Sequence, residues 1–296
     1  MSRMKDFVLP TNDYAFKSMF ADEKNIECLL NFTCAVLKIK EKQVKSIAVK
    51  NPDLPKDVNS EQDIKLDLIV EIFVKNEVKV INIEMQCIVY DSFADRTLLY
   101  WAKLHGSQDS VKAHYSELKQ TIGIYLVKEK MFDIDKFHLK FSLLEESSFI
   151  KFSDNLEMHV LQLPVSLTKE DKNLINWIKF FNIKEEADID NIEKEGGVME
   201  KICEALKHFN YDEQAKYMAL SREKAITEKA ALYHDGEKRG REEGRKEGRK
   251  EGKEEGRKEG KMEMAKEMLL EKIDIKLISK ISKLSIEEIE KIKKEL

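Results

Sequence analysis

The chain contains 296 residues with a formal net charge of −4, 42% hydrophobic residues and 36% charged residues, which suits one sizeable domain with an appendage or two small domains. It lacks an overall basic charge, an apolar run near the ~18 residues of a membrane span, the apolar stretch of a signal peptide and any CxxC pair among its four cysteines. We therefore expect a soluble, reduced, cytoplasmic protein with neither a zinc site nor a disulfide framework.

Two helices and a strand are predicted at the start of the chain. The sequence Thr-Asn-Asp at 11–13 can cap a helix, and apolar residues follow it at helical spacing: Phe16, Met19 and Phe20. A second helix is predicted at about 25–37. Residues 44–49 are predicted to form a strand that ends before two prolines.

The stretch 63–86 contains two apolar, strand-like runs that flank a polar turn at 75–77. Side chains alternate between the two faces of a strand. In a hairpin, this alternation places the side chains of Asp67, Glu84 and Gln86 on the same face, opposite a row of aliphatic residues.

A two-residue loop at 76–77 sets the predicted register of this hairpin. It pairs Asp67 with Gln86 and Ile69 with Glu84, so that the three polar side chains come within diagonal reach of one another. A shift of one residue would move them to opposite faces.

Two carboxylates in an otherwise apolar sheet need a compensating positive charge, because an unpaired buried carboxylate is costly or becomes protonated. A divalent cation meets this need, since two carboxylates, a backbone carbonyl and waters make a partial oxygen shell of the kind that suits Mg²⁺. The alternative is a half-exposed hairpin whose acids face water. The spacing alone leaves both alternatives open.

Helices and strands are predicted to alternate after the hairpin. Ser92 can cap a long helix that ends at about Tyr115, with inward side chains at Leu98, Leu99, Ala102, Leu104 and His105. Strands are predicted at 121–127 and 156–163, with irregular or edge-strand sequence between them. The chain then becomes helical at about 169–181, 192–209 and 212–233, with an interruption at Gly196-Gly197.

Glycine recurs at every fourth position from 236 to 260, with columns of Glu and of Arg or Lys beside it. Residues 236–262 contain eleven Lys or Arg and eight Glu, a local charge of +3, which leaves about −7 for the rest of the chain. Each glycine costs roughly 0.8–1 kcal/mol of helix propensity. We expect a solvated linker or arm, with self-association or contact with DNA as alternatives.

The C-terminal residues recover a core pattern and are predicted to form three short helices. Asp274 caps the second, and the capping box at 285–288 begins the third. This small tail is similar to a helix-turn-helix, which could read DNA. The alternative is an oligomerisation piece through which the chain forms a homo-oligomer.

The order of these motifs resembles a known nuclease family. Asp67, followed after a hairpin by Glu84-Met85-Gln86, resembles the PD-(D/E)XK core, in which an Asp and an E-x-K hold the metal. The form with Gln in place of Lys is similar to the Rpn recombination-promoting nucleases, which also carry the label transposase. Other stretches of the chain match this family: Pro10–Lys17 (PTNDYAFK), Asn51–Pro55 (NPDLP), Arg96 with Tyr100-Trp101, and the glycine repeat.

The resemblance covers most of the chain and implies an α/β fold: a restriction-endonuclease-like mixed sheet flanked by helices, followed by a helical C-terminal extension. We expect a nuclease core at 1–165, a helical extension at 166–235, the repeat at 236–262 and the tail at 263–296.

The implied activity is metal-dependent hydrolysis of DNA phosphodiester bonds by an endonuclease linked to recombination or mobile DNA. Asp67, Glu84 and the Met85 carbonyl would hold Mg²⁺ or Mn²⁺. Gln86 can orient a water through its amide but supplies no positive charge. Arg96 or Lys65 could supply that charge, or turnover is slow.

Two accessory residues are also implied. Asp13 is expected near the metal, with a plain helix cap as the alternative. Arg96 is expected to contact the scissile phosphate, with a salt bridge to a neighbouring acid as the alternative. The competing function is a catalytically degenerate protein that binds DNA or assembles through its tail.

Overall fold

The computed structural model describes residues 7–51, 68–86, 92–110, 117–163 and 172–296. Within these ranges the chain forms a mixed six-stranded sheet of order β1-β2-β3-β4-β6-β5. The strands are β1 (Val44–Val49), β2 (Leu68–Val74), β3 (Glu77–Gln86), β4 (Gln120–Val127), β5 (His138–Ser142) and β6 (Leu156–Gln162). The inner pairs β3–β4 and β4–β6 are parallel, whereas the outer pairs are antiparallel. The predicted mixed sheet is confirmed.

The helices of the described ranges lie before, within and after the sheet sequence. They are α1 (Asp13–Ala21), α2 (Ile26–Leu37), α3 (Phe93–Gly106), α4 (Lys172–Phe181), α5 (Ile189–Glu193), α6 (Val198–Tyr211), α7 (Glu213–Leu270), α8 (Ile275–Ser282) and α9 (Ile286–Glu295). None of them combines the length and the hydrophobicity of a membrane-spanning segment.

The main core lies on one face of the sheet, beneath α1, α2, α4 and α6. The alternation of β2 creates this face, because Leu68, Val70, Ile72 and Val74 are fully buried while the residues between them are not. Trp177 on α4 packs against Phe20 and Phe32, with ring centroids 5.6 Å and 5.3 Å apart. Helices α4–α6 therefore share one hydrophobic core with the sheet.

The first helix begins as its sequence predicts. The side chain of Asn12 accepts hydrogen bonds from the backbone N–H groups of Tyr14 and Ala15, both at 3.1 Å. Phe16, Met19 and Phe20 are buried in the main core, as helical spacing requires.

The hairpin register differs from the predicted one by two residues. Lys75 and Asn76 form the loop, both with positive φ angles (50° and 68°), and Val74 pairs with Glu77. Ile69 therefore lies opposite Asn82, not opposite Glu84. Glu84 and Gln86 still share the predicted face, because a shift of two residues preserves the alternation of side chains.

The opposite face of the sheet is covered over β4 by α3. The predicted inward face of this helix was partly wrong, because Leu98 and Leu99 are about half exposed. Phe93 and Thr97 are buried instead, and Phe93 packs edge-on against Tyr125 with ring centroids 5.7 Å apart. Ser92 stands at the helix N-terminus but makes no side-chain capping bond.

The chain divides into two compact units, Met1–Thr227 and Glu228–Leu296. In the second unit, residues 231–260 are helical and exposed on all sides, so the glycine repeat belongs to a continuous solvated helix. At its C-terminal end, Ala265 packs with Ile278, Leu284 and Ile289 of α8 and α9. Asp274 and the Ser285–Glu288 capping box begin these two helices as predicted.

Candidate active site

Glu84 and Gln86 lie at the C-terminal end of β3, on the face that α3 covers. Each side chain belongs to a residue that is less than a tenth exposed. The parallel neighbour β4 places Tyr125 beside Glu84 and Val127 beside Gln86. A carboxylate and an amide therefore project from the middle of the sheet into a largely buried space.

Gly123 on β4 makes room for the aromatic wall of this space. A Cβ atom at position 123 would lie 2.5 Å from a ring carbon of Tyr125, closer than non-bonded atoms tolerate. The absence of a side chain lets the Tyr125 ring lie against the sheet. Its hydroxyl then donates a hydrogen bond to the backbone carbonyl of Thr97 on α3, at 3.3 Å.

Two further contacts fix α3 across the sheet. The indole N–H of Trp101 donates to the backbone carbonyl of Thr121 at 2.8 Å, and Nδ1 of His105 lies 2.9 Å from the Thr121 hydroxyl. The Trp101 and His105 rings stack with centroids 4.9 Å apart. These contacts hold the C-terminal half of α3 against the start of β4.

Arg96 in the second turn of α3 contacts both polar side chains of β3. Its Nη2 lies 3.3 Å from Oε1 of Glu84 and donates a hydrogen bond to Oε1 of Gln86. The buried Nε has no acceptor among the described residues, and the guanidinium lies 6.0 Å from the centroid of the Tyr100 ring. The neighbouring acid of the predicted salt bridge is thus Glu84.

The contact with Arg96 also orients Gln86. Because the amide oxygen accepts the arginine proton, the donor side of the Gln86 amide, its NH₂ group, faces away from Arg96. The pair therefore brings a permanent positive charge beside Gln86 and Glu84 at the end of β3.

Asp67, the second predicted carboxylate ligand, lies outside the described residues, as does Lys65. Asp67 directly precedes Leu68, which pairs with Ile83 next to Glu84. In the described ranges no group of three or more His, Cys, Asp or Glu side chains converges as a metal site. Glu84 and the carbonyl of Met85 nevertheless supply the hard oxygen donors that Mg²⁺ and Mn²⁺ accept, so the described half of the site fits such an ion.

Asp13 has a well-defined partner in the structure. Its Oδ2 lies 3.1 Å from Nε of Arg222 on α7, and both residues are at least nine-tenths buried. Its Oδ1 accepts the backbone N–H of Tyr14 at 2.8 Å. The cap itself is Asn12, so the contacts of Asp13 attach α1 to α7.

A second polar network, which was not predicted from the sequence, lies on the core face of β5 and β6. Nε2 of His138 lies 2.6 Å from Nδ1 of His159, whose Nε2 lies 2.7 Å from Glu157. Burial and neighbouring positive charges lower the pKa of His138 to about 3. Burial raises the pKa of Glu157, but hydrogen bonds from His159 and Lys140 outweigh this effect and lower it to about 2.

Of the predicted site residues, the structure brings Glu84, Met85, Gln86 and Arg96 together and gives Asp13 a separate ion pair. Gly123 and Tyr125 were not predicted as site residues, although a glycine inside the apolar run 121–127 is a signal of close packing.

A model of the PD-(D/E)XK nuclease family transposases matches residues 10–236 of the chain. Neither the curated proteins nor the solved structures include a significant match. The family match covers most of the chain, including α1, the sheet and its helices, and its nuclease-like fold agrees with the mixed sheet and its flanking helices. The chain therefore belongs to the PD-(D/E)XK nuclease family transposases.

Proposed function

We propose that this protein is a metal-dependent DNA endonuclease that hydrolyses phosphodiester bonds, with an Rpn-type role in recombination or mobile DNA. The observation that carries the proposal is the grouping of Glu84, Gln86 and Arg96 at the end of the central strand, in a chain of a nuclease family. A carboxylate, an amide and a guanidinium in a largely buried space suit the binding of a cation and a phosphate.

Asp67, Glu84 and the main-chain carbonyl of Met85 would hold Mg²⁺ or Mn²⁺. When bound, such an ion polarises the phosphate and lowers the pKa of a water molecule. The protein supplies the negative charge that attracts the ion, and α3 shields the site from bulk water.

Arg96 would replace the lysine that is absent from the E-x-Q motif. Its guanidinium already contacts Gln86 and Glu84, and its buried Nε–H is a donor for a phosphate oxygen. Gln86 would place the guanidinium and, through its NH₂ group, hold a water molecule. The missing cation is therefore provided from the helix instead of the strand.

Cleavage of supercoiled plasmid in Mg²⁺ and in Mn²⁺ tests the proposal. The wild type should nick the plasmid, and Glu84→Ala should abolish nicking. Glu77→Ala, at the exposed opposite end of the same strand, is the matched control and should retain activity. Equal inactivity of the wild type and Glu84→Ala would contradict the proposal.

A charge exchange tests the role of Arg96. Arg96→Gln should slow cleavage by at least ten-fold. Loss of a donor that stabilises developing charge usually reduces the catalytic rate by ~10²–10³. Adding Gln86→Lys in that background should restore part of the rate, because the lysine returns the cation to the strand. If the double variant cleaves no faster than Arg96→Gln, the proposal that Arg96 replaces the missing lysine is wrong.

The second candidate is a degenerate protein that binds DNA without cutting it. One observation favours it: the guanidinium of Arg96 contacts the same Glu84 carboxylate that would hold the ion. Thermal unfolding separates the two candidates, because an ion that binds the folded state raises its stability. Mn²⁺ should raise the melting temperature of the wild type but not that of Asp67→Asn; no shift in either favours the degenerate protein.

A further inference from the structure

The face of the sheet that carries Glu84 continues onto β2 and the edge strand β1, where it becomes open. On β3 its side chains are all buried, from Val80 to Gln86. On β1 the residues of this face are exposed, and two of them are small, Ser46 and Ala48. We call this open part the lysine shelf. Its surface is formed by Ser46, Ala48, Glu71 and Phe73, and its positive charges are those of Lys45, Lys50 and Lys119.

Glu71 organises two of the lysines. Its two oxygens lie 2.7 Å from Nζ of Lys50 and 2.8 Å from Nζ of Lys119. Lys119, the residue before β4, reaches Glu71 across β3. Two ammonium groups against one carboxylate leave a net positive charge, and each ammonium group retains donors that Glu71 does not use.

A third cation extends the positive charge along the shelf. Nζ of Lys45, in the bulge at the start of β1, lies 4.9 Å from the centroid of the Phe73 ring and 2.6 Å from Oδ1 of Asn76. In the described part of the shelf, two lysines thus contact Glu71 and a third lies on the Phe73 ring, although the whole chain carries a charge of −4. The shelf is a local basic surface on an acidic protein.

The strand register links the shelf to the candidate active site. Glu71 pairs with Val80, which lies four residues before Glu84 on β3. At ~3.3 Å per residue, the two positions are about 13 Å apart. This is less than half of a ~34 Å turn of DNA, so a nucleic acid strand that enters the active site has phosphates within reach of the shelf.

We propose that the lysine shelf binds the backbone of the DNA substrate, with phosphates on Lys50, Lys119 and Lys45, and leads the strand toward Glu84. The small side chains of Ser46 and Ala48 allow the backbone to approach the sheet closely. The direction of the strand and the identity of the cut phosphate rest on the proposed nuclease function. The binding itself rests on the charge and openness of the shelf.

Fluorescence anisotropy of a short labelled DNA duplex, with the full chain in EDTA to prevent cleavage, tests the shelf. Lys50→Gln/Lys119→Gln should weaken binding several-fold. It should also lower the slope of log K against log salt by about 1.8, since each phosphate contact contributes ~0.9. Glu71→Gln should have the opposite effect and tighten binding, because it removes the negative charge between the lysines.

A matched control exists on a helix of the opposite, main-core face of the sheet. Lys172 and Lys179 flank Glu195 at 3.7 Å and 3.4 Å, so Lys172→Gln/Lys179→Gln makes the same change of charge elsewhere. This control should leave affinity and slope unchanged. The opposite signs expected for Glu71→Gln and the lysine variants also exclude a general loss of folding as the cause.

The proposal that the shelf binds DNA would be wrong if the two double-lysine variants weakened binding equally, or if Glu71→Gln bound DNA more weakly than the wild type. Plasmid cleavage in Mg²⁺ is measured beside binding, which separates the two proposals. Binding that depends on the shelf without cleavage supports the shelf and contradicts the nuclease. Cleavage together with binding that does not depend on the shelf lysines supports the nuclease and contradicts the shelf. A wild type that neither binds nor cleaves DNA contradicts both.

Discussion

Acidification is expected to destabilise the protein through His138. Burial and the charges of His159, Lys38 and Lys140 lower its pKa from 6.5 to about 3, against an opposing effect of Glu157. In the unfolded chain the imidazole takes up a proton near pH 6.5, whereas in the folded chain it stays neutral until about pH 3. Stability from the neutral folded histidine is therefore complete above pH 6.5 and is lost as the pH falls toward 3.

The magnitude follows from this difference in pKa. Each pH unit in this window costs about 1.4 kcal/mol of unfolding free energy. Between pH 6.5 and about pH 4 the loss from His138 amounts to about 3 kcal/mol. This is a large part of the 5–15 kcal/mol that stabilises a typical domain.

Urea unfolding followed by circular dichroism at a series of pH values measures this loss. His138→Gln is the informative variant, because the amide can still donate to Nδ1 of His159 but does not titrate. Below pH 6.5 the wild-type unfolding free energy should fall by about 3 kcal/mol more than that of the variant. Parallel curves for the two proteins would refute the reasoning, since they would show that folding does not shift the pKa of His138.

Two further substitutions test the packing around the site. Gly123→Ala should lower the unfolding free energy by about 1–3 kcal/mol, because the new methyl group overlaps the Tyr125 ring. Gly106→Ala is the control, because a methyl group there meets no atom within 4 Å. Equal losses of stability in the two variants would contradict the packing argument. Asp13→Asn should cost about 1–3 kcal/mol by weakening the buried pair with Arg222, measured by the same urea titration. An unchanged stability with lost Mn²⁺ binding would instead assign Asp13 to the metal.

The faces of the strands could be predicted from the sequence, but the register could not. Burial of every second residue in β2 determines which side chains share a face, and this is why Glu84 and Gln86 were placed together. The register depends on the loop, where Lys75 and Asn76 both adopt positive φ. Asparagine favours this conformation and lysine does not, so the dipeptide Lys75-Asn76 is a weak signal for that turn.

The inward face of α3 was harder to predict because it serves the site as well as a core. An amphipathic pattern identifies helix faces by their apolar residues. Here Leu98 and Leu99 are exposed, while the polar Arg96 and Thr97 point toward the sheet. Only the position of β4, with Tyr125 against Thr97, determines which side of the helix faces inward.

The helical form of the glycine repeat in α7 was also hard to predict from the sequence. Glycine at every fourth position predicts a marginal helix, and the segment 231–260 is nevertheless helical while exposed on all sides. Each of its glycines has open space where a side chain would lie. Packing of the described residues of the repeat thus does not account for its helical form.

Binding of Mn²⁺ to the full chain, followed by electron paramagnetic resonance of the free ion, tests most directly whether Glu84 belongs to a metal centre. The wild type should remove Mn²⁺ from solution with saturation, whereas Glu84→Gln, which keeps the size and loses the charge, should bind at least ten-fold more weakly. Glu77→Gln should bind like the wild type. Equal binding by the wild type and Glu84→Gln would contradict the account, because the carboxylate at the end of the central strand would then hold no ion.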